Sequence, residues 1–202
     1  MAENKDTGKK RKATVRRTTK ETEIFSFLSI DGEKKIDIKT PAGFFDHLLE
    51  LFGHHGNLHL MLRGEGDIEV DYHHLVEDVG LVLGEAFKKA LGDKKGINRY
   101  GDIVLPMDEA LVMVALDFSG RSYLNFDVNF PTEKVGDFDL ELIQEFFRAF
   151  SQESGLTLHI KMLEGNNAHH IAEAIFKGFG RAVNKAIKLD GGGEIPSTKG
   201  KL

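Results

Sequence analysis

The 202-residue chain has no cysteine. That excludes a disulfide framework and every thiolate metal centre, so any bound metal ion must rest on nitrogen and oxygen ligands. The chain also lacks an apolar run near the ~20 residues that span a bilayer. Its first residues carry no hydrophobic signal region, which argues against a secretory route. A cytoplasmic setting with no membrane partner is therefore expected. The basic run Lys9-Lys10-Arg11-Lys12 comes without the aromatic platform or basic face that nucleic-acid binding needs, so no nucleic-acid partner is expected. Residues 1–20 hold eight Lys or Arg and two acids; the other 182 hold 19 of the 27 bases and 30 of the 32 acids. A basic, solvated and disordered tail over residues 1–12 on an acidic body accounts for that asymmetry.

What is present is a foldable composition. With 41% apolar and 29% charged residues, a chain of this length buries a substantial core. Apolar and β-branched runs predict strands at 13–19, 23–30 and 34–39, with Asp31-Gly32 as a hairpin turn between the last two. A helix at 44–52, a strand at 58–62 and a helix at 74–91 follow. The last has apolar positions 75, 76, 79, 82, 83, 86, 87 and 90 in helical period, and Gly92 stops it. Strands at 103–105, 110–117 and 122–128, a helix at 140–150, a strand at 156–162 and a helix to about 188 complete the chain. The order β-β-β-α-β-α thus occurs twice, giving an α/β (α+β) domain of two half-repeats, 13–95 and 96–190, with a C-terminal segment at 191–202.

The duplication can be read residue by residue. His73-His74-Leu75-Val76-Glu77 returns 96 positions later as His169-His170-Ile171-Ala172-Glu173. His59 and His159 are 100 apart, and both His47 with Glu145 and Phe52 with Phe150 are 98 apart. In a helix, His at i and Glu at i+4 share a face, so His73 with Glu77 and His169 with Glu173 can meet one ion. His74 and His170 are turned by about 100° and aim elsewhere, which suits a helix serving two metals. With His47 and Glu145 the candidate ligands number eight, and mixed imidazole and carboxylate donors suit Mn, Fe or Zn alike. A His-x-x-x-Glu can be a plain surface pair, but two copies at equivalent places in a repeat argue against that. His54, His55 and His59 read as ordinary residues. A second set is suited to an anion: Arg99 and Arg121 beside glycines, Ser197-Thr198-Lys199 near the end, and Lys177 one turn beyond Glu173.

Five segments carry a family resemblance: Phe45-Asp46-His47, His73-His74-Leu75-Val76-Glu77-Asp78, Pro106-Met107-Asp108-Glu109-Ala110, His169-His170-Ile171-Ala172-Glu173-Ala174 and Ile195-Pro196-Ser197-Thr198-Lys199-Gly200. In this order they resemble imidazoleglycerol-phosphate dehydratase, from about residue 14 to the C-terminus. The resemblance implies four helices packed between two four-stranded sheets. It also implies two Mn(II) per active site and trimers assembling into a 24-subunit homo-oligomer with sites between subunits. The implied substrate is a small phosphorylated imidazole: imidazoleglycerol phosphate, dehydrated to imidazole-acetol phosphate in histidine biosynthesis. The implied ligands are His47, His73, His74, Glu77, His169, His170 and Glu173. Glu145 departs from the histidine of many relatives, but the repeat places it opposite His47.

The expected mechanism holds the substrate ring as imidazolate between the two metals, from where it can expel the side-chain hydroxyl through a diazafulvene-like intermediate. By the same resemblance Glu21 is a substrate-contacting acid or base; in the expected mechanism Glu173 combines ligand and base, and Asp108 orients the leaving hydroxyl or a water. Arg99, Arg121, Lys177, Ser197, Thr198 and Lys199 take the phosphate. A two-metal hydrolase and a symmetric metal-storage shell are the alternatives.

Overall fold

The computed structural model describes residues 11–200. Residues 1–10, most of the expected basic tail, lie outside the described residues. Arg11 and Lys12 belong to the fold. The first half contains β1 (Lys12–Thr18), β2 (Thr22–Ser29), β3 (Lys35–Lys39), α1 (Gly43–Gly56), β4 (His59–Gly66) and α2 (His73–Leu91). The second contains β5 (Tyr100–Met107), β6 (Ala110–Asp117), β7 (Tyr123–Asp127), a short ribbon of β8 (Lys134–Val135) and β9 (Phe138–Asp139), then α3 (Glu141–Ser154), β10 (Thr157–Glu164) and α4 (Ala168–Ile187).

The two large sheets have one topology. The first runs β1-β2-β4-β3 and the second β5-β6-β10-β7. In each, the last strand pairs parallel with its neighbour and the other pairings are antiparallel. The hairpin expected at Asp31-Gly32 does not form, because β4 lies between β2 and β3. All eight residues of β2 pair with β4, from Thr22 opposite Gly66 to Ser29 opposite His59, and β3 takes the remaining edge over five residues. Local turn chemistry lost to the longer non-local ladder, which buries Leu60 and Leu62.

Four helices pack between the two sheets. One side of α2 lies on β1 and β2, and one side of α4 lies on β5 and β6; across the middle α2 meets α3 and α1 meets α4. This middle layer is rich in phenylalanine, with Phe52 stacked on Phe179 at 4.9 Å between ring centres. Its two crossings are copies of each other. A Cβ on Gly84 would lie 2.7 Å from the carbonyl oxygen of Phe150, and one on Gly180 would lie 2.6 Å from that of Phe52. The β8–β9 ribbon has no counterpart in the first half and was not expected. It delivers a buried Phe138 onto Phe45, stacked at 5.7 Å.

Arg11 ties the start of β1 to the rest. Its guanidinium forks onto Asp31 at 2.6 and 3.0 Å and donates to the Ile187 carbonyl at 2.6 Å. Hydrogen bonding from Arg11 holds the Asp31 carboxyl below its ordinary value. A depressed carboxylate adds stability above its unfolded pKa and loses it as pH falls through the folded value. Asp31→Asn should therefore cost about 1 kcal/mol near pH 7, and the gap from the parent should close below about pH 4 in denaturation at stepped pH. For the crossings, Ala gains about 1 kcal/mol over Gly in an open helix, against about 1–3 kcal/mol for overpacking. Because the blocking atoms are backbone, Gly84→Ala and Gly180→Ala should each lose about 1–2 kcal/mol in the same assay.

Candidate metal centre and anion cavity

The side chain of Asn167 caps α4, accepting from the backbone N–H groups of His169 and His170 at 3.0 and 3.3 Å. The cap starts the helix at the histidine pair, which puts His169 and Glu173 on one face, toward His47 of α1. His47 Nε2 is 2.6 Å from Glu173 Oε1, and His169 Nε2 is 3.4 Å from the same oxygen. One donor atom from each of the three lies within 4.8 Å of the others. Glu173 is only 7% exposed, and its second oxygen accepts from Lys177 Nζ at 2.7 Å. Burial opposes the charge, but hydrogen bonds from Lys177 and His47 outweigh it and hold the carboxyl at about 2. Two imidazole nitrogens and one carboxylate oxygen fit a borderline divalent ion.

The repeat maps this trio onto Glu145, His73 and Glu77, and there the halves differ. Among the described residues only the His47 trio converges. Glu77 is exposed, and Glu145 accepts from Arg148 Nη1 at 2.7 Å. The second histidine of each pair meets carboxylate partners of its own. The His74 ring stands at 87° to that of His73, and the His170 ring at 88° to that of His169. His74 Nδ1 lies 3.1 Å from both oxygens of Asp67, with Glu21 at 4.0 Å. His170 Nδ1 lies 2.8 Å from Glu109, and its Nε2 is 3.7 Å from Asp108. These hydrogen bonds raise both imidazoles above their ordinary value. The Glu109 carboxyl falls to about 2, through His170 first and then backbone N–H donors that include those of Asn166 and Asn167.

Asp67 and Glu109 were missed in the sequence, because each lies in a loop outside the helix that carries its histidine. The signal available was an acid in the loop after β4 and another in the β5–β6 loop. That second loop is tight, since Asp108 adopts φ +50°.

The residues expected to hold an anion come together separately. A cavity of about 420 Å³ is lined by Arg99, Tyr100, Arg121, Pro196, Ser197, Thr198 and Lys199. Arg99 is largely committed: it forks onto Asp117 at 2.6 and 3.0 Å and donates to the Pro196 carbonyl at 2.8 Å. Three of its five N–H donors are used, leaving two for a guest. Lys177 does not line this cavity and stays beside Glu173.

A duplicated two-sheet α/β protein with a trio of nitrogen and oxygen donors that could hold a metal ion is thus defined on structural grounds. The family model described as imidazoleglycerol-phosphate dehydratase matches residues 40–183. Curated relatives of that name include those of Thermoanaerobacter sp. strain X514, 54% identical over 95% of this chain and 100% of the relative, and Caldanaerobacter subterraneus, 55% identical over the same shares. Among solved structures, the Staphylococcus aureus dehydratase has 41% identity and a TM-score of 0.80, covering 88% of this chain and 99% of its own. The Pyrococcus furiosus protein, in complex with (S)-C348, has 39% identity and a TM-score of 0.81, covering 93% and 100%. The chain belongs to the imidazoleglycerol-phosphate dehydratase family, which are hydro-lyases.

Glu173→Gln removes the charge on which the trio and Lys177 both depend. Elemental analysis of the purified variant should show at least half of the bound divalent metal lost. Stability of the metal-free protein should fall by roughly 2–3 kcal/mol, because Lys177 is left half-buried without its partner.

Proposed function

We propose that this chain dehydrates imidazoleglycerol phosphate to imidazole-acetol phosphate in histidine biosynthesis, in the cytoplasm. Two Mn(II) ions serve each active site, in trimers that assemble into a 24-mer whose subunits complete one another's sites. The observation that carries the reading is the His47–His169–Glu173 trio, together with two further histidines, His74 and His170, that meet carboxylates of their own. One chain thereby presents imidazoles in more than one place, as a site shared between copies requires. His73, Glu77 and Glu145 are assigned to the same ligand set.

The reaction must remove a proton from a carbon with no adjacent carbonyl. His47, His169 and Glu173 would hold a divalent ion, which when bound would supply Lewis acidity toward the substrate's imidazole. The residues do the rest. Glu173 has both oxygens engaged, by His47 and Lys177, and so acts as a ligand more than as a mobile base. Glu21, exposed in the β1–β2 loop near His74, is free to transfer the proton. Asp108, near His170 Nε2, orients the leaving hydroxyl. Arg121, Ser197, Thr198, Lys199 and the spare donors of Arg99 hold the phosphate. Lys177, by its bond to Glu173, contributes positive charge at the metal end.

Imidazoleglycerol phosphate added to Mn(II)-loaded protein should give the ketone without inorganic phosphate. Phosphate release would indicate a hydrolase, and no turnover a storage shell. Glu21→Gln should lower kcat by about 10²–10⁴-fold with metal content unchanged; near-normal turnover would remove Glu21 from the mechanism.

A further inference from the structure

His74 and His170 occupy the same place in the two halves, 96 residues apart, and each has a carboxylate on Nδ1. The acids do not occupy the same place. Asp67 follows β4, whereas Glu109 sits in the β5–β6 loop. In the first half the loop equivalent to β5–β6 is β1–β2, and it sends Glu21 only to 4.0 Å from the ring. In the second half the segment after β10 supplies no acid to the ring; its Asn167 backbone N–H donates instead to Glu109, at 2.9 Å. Both loop pairs are tied together, since the Asp67 N–H also donates to the Glu21 carbonyl at 3.0 Å. The contact on Nδ1 is therefore not a relic of duplication carried by one residue. It is made twice, from different loops, with the same result.

That result is chemical. A carboxylate accepting the Nδ1 proton fixes the tautomer, so the lone pair sits on Nε2, and it pins the ring plane. At both histidines Nε2 is thereby the available donor, and the ring keeps its right angle to the adjacent histidine. We propose that Asp67 and Glu109 are positioning residues that orient His74 and His170 for a divalent ion through Nε2. This rests on the metal-dependent reading above.

The test uses the full chain, stripped by chelator and titrated calorimetrically with Mn(II) in the absence of substrate. Asp67→Ala and Glu109→Ala should each weaken Mn(II) binding by about 10–100-fold. Glu109→Gln and Asp67→Asn, which retain an acceptor for the Nδ1 proton, should recover most of that loss, and metal-free melting temperatures should stay close to the parent's. Alanine variants that bind Mn(II) as tightly as the parent would overturn the proposal. So would a loss shared equally by the amide variants, or one matched by a collapse of metal-free stability. A parent chain that binds no Mn(II) would instead sink the metal-dependent reading itself, so the two failures are distinguishable.

Discussion

Glu173 is buried just beneath the more exposed His47 and His169, its carboxyl held well below the usual range by hydrogen bonds, and much of the structure can be understood as the means of keeping it so. A carboxylate out of water costs several kcal/mol unless each lone pair finds a donor. One oxygen meets His47 and the other Lys177. The first contact joins α1 of one half to α4 of the other; the second stays within α4. The bond that stabilises the charge is therefore also a cross-half link, and it can only form if the α1–α4 crossing is close. Gly180, against the Phe52 carbonyl, permits that closeness. Packing of the helix layer and chemistry of the site are one constraint.

The α2–α3 crossing repeats this geometry through Gly84, but its polar residues have diverged. Where the first crossing holds a buried glutamate, the second leaves Glu77 exposed and pairs Glu145 with Arg148. Backbone contacts have kept the symmetry while side-chain chemistry has not. A helix crossing set by glycine tolerates no volume, whereas a half-exposed carboxylate can exchange partners at a cost of about 1 kcal/mol or less.

This difference explains what was legible in the sequence. The repeat and the helices followed from spacing alone, since helical period is a local property. The i, i+4 relation of His169 and Glu173 was sound for the same reason. The place of β4 was not legible, because Asp31-Gly32 has good turn chemistry and only the eight-residue ladder with β2 overrules it. The β8–β9 ribbon is two residues per strand, too short for any period. Asp67 and Glu109 were hidden because a loop acid reaches a histidine through tertiary geometry; Glu109 lies 61 residues from the ring it holds.

Arg99 shows the same limit from the other side. Its residue type and glycine neighbourhood suggested a phosphate grip, and it does line the cavity. Its conformation, though, is left-handed at φ +71°, uncommon outside glycine. The fork onto Asp117 offsets that cost and fixes the guanidinium plane, while the bond to the Pro196 carbonyl brings Ser197, Thr198 and Lys199 to the rim. An anion arriving there meets an arginine whose charge is already largely answered by Asp117. Most of the uncompensated positive charge must then come from Arg121 and Lys199. Arg99 contributes two oriented N–H groups and, more importantly, the shape of the cavity: it builds the site before it binds anything.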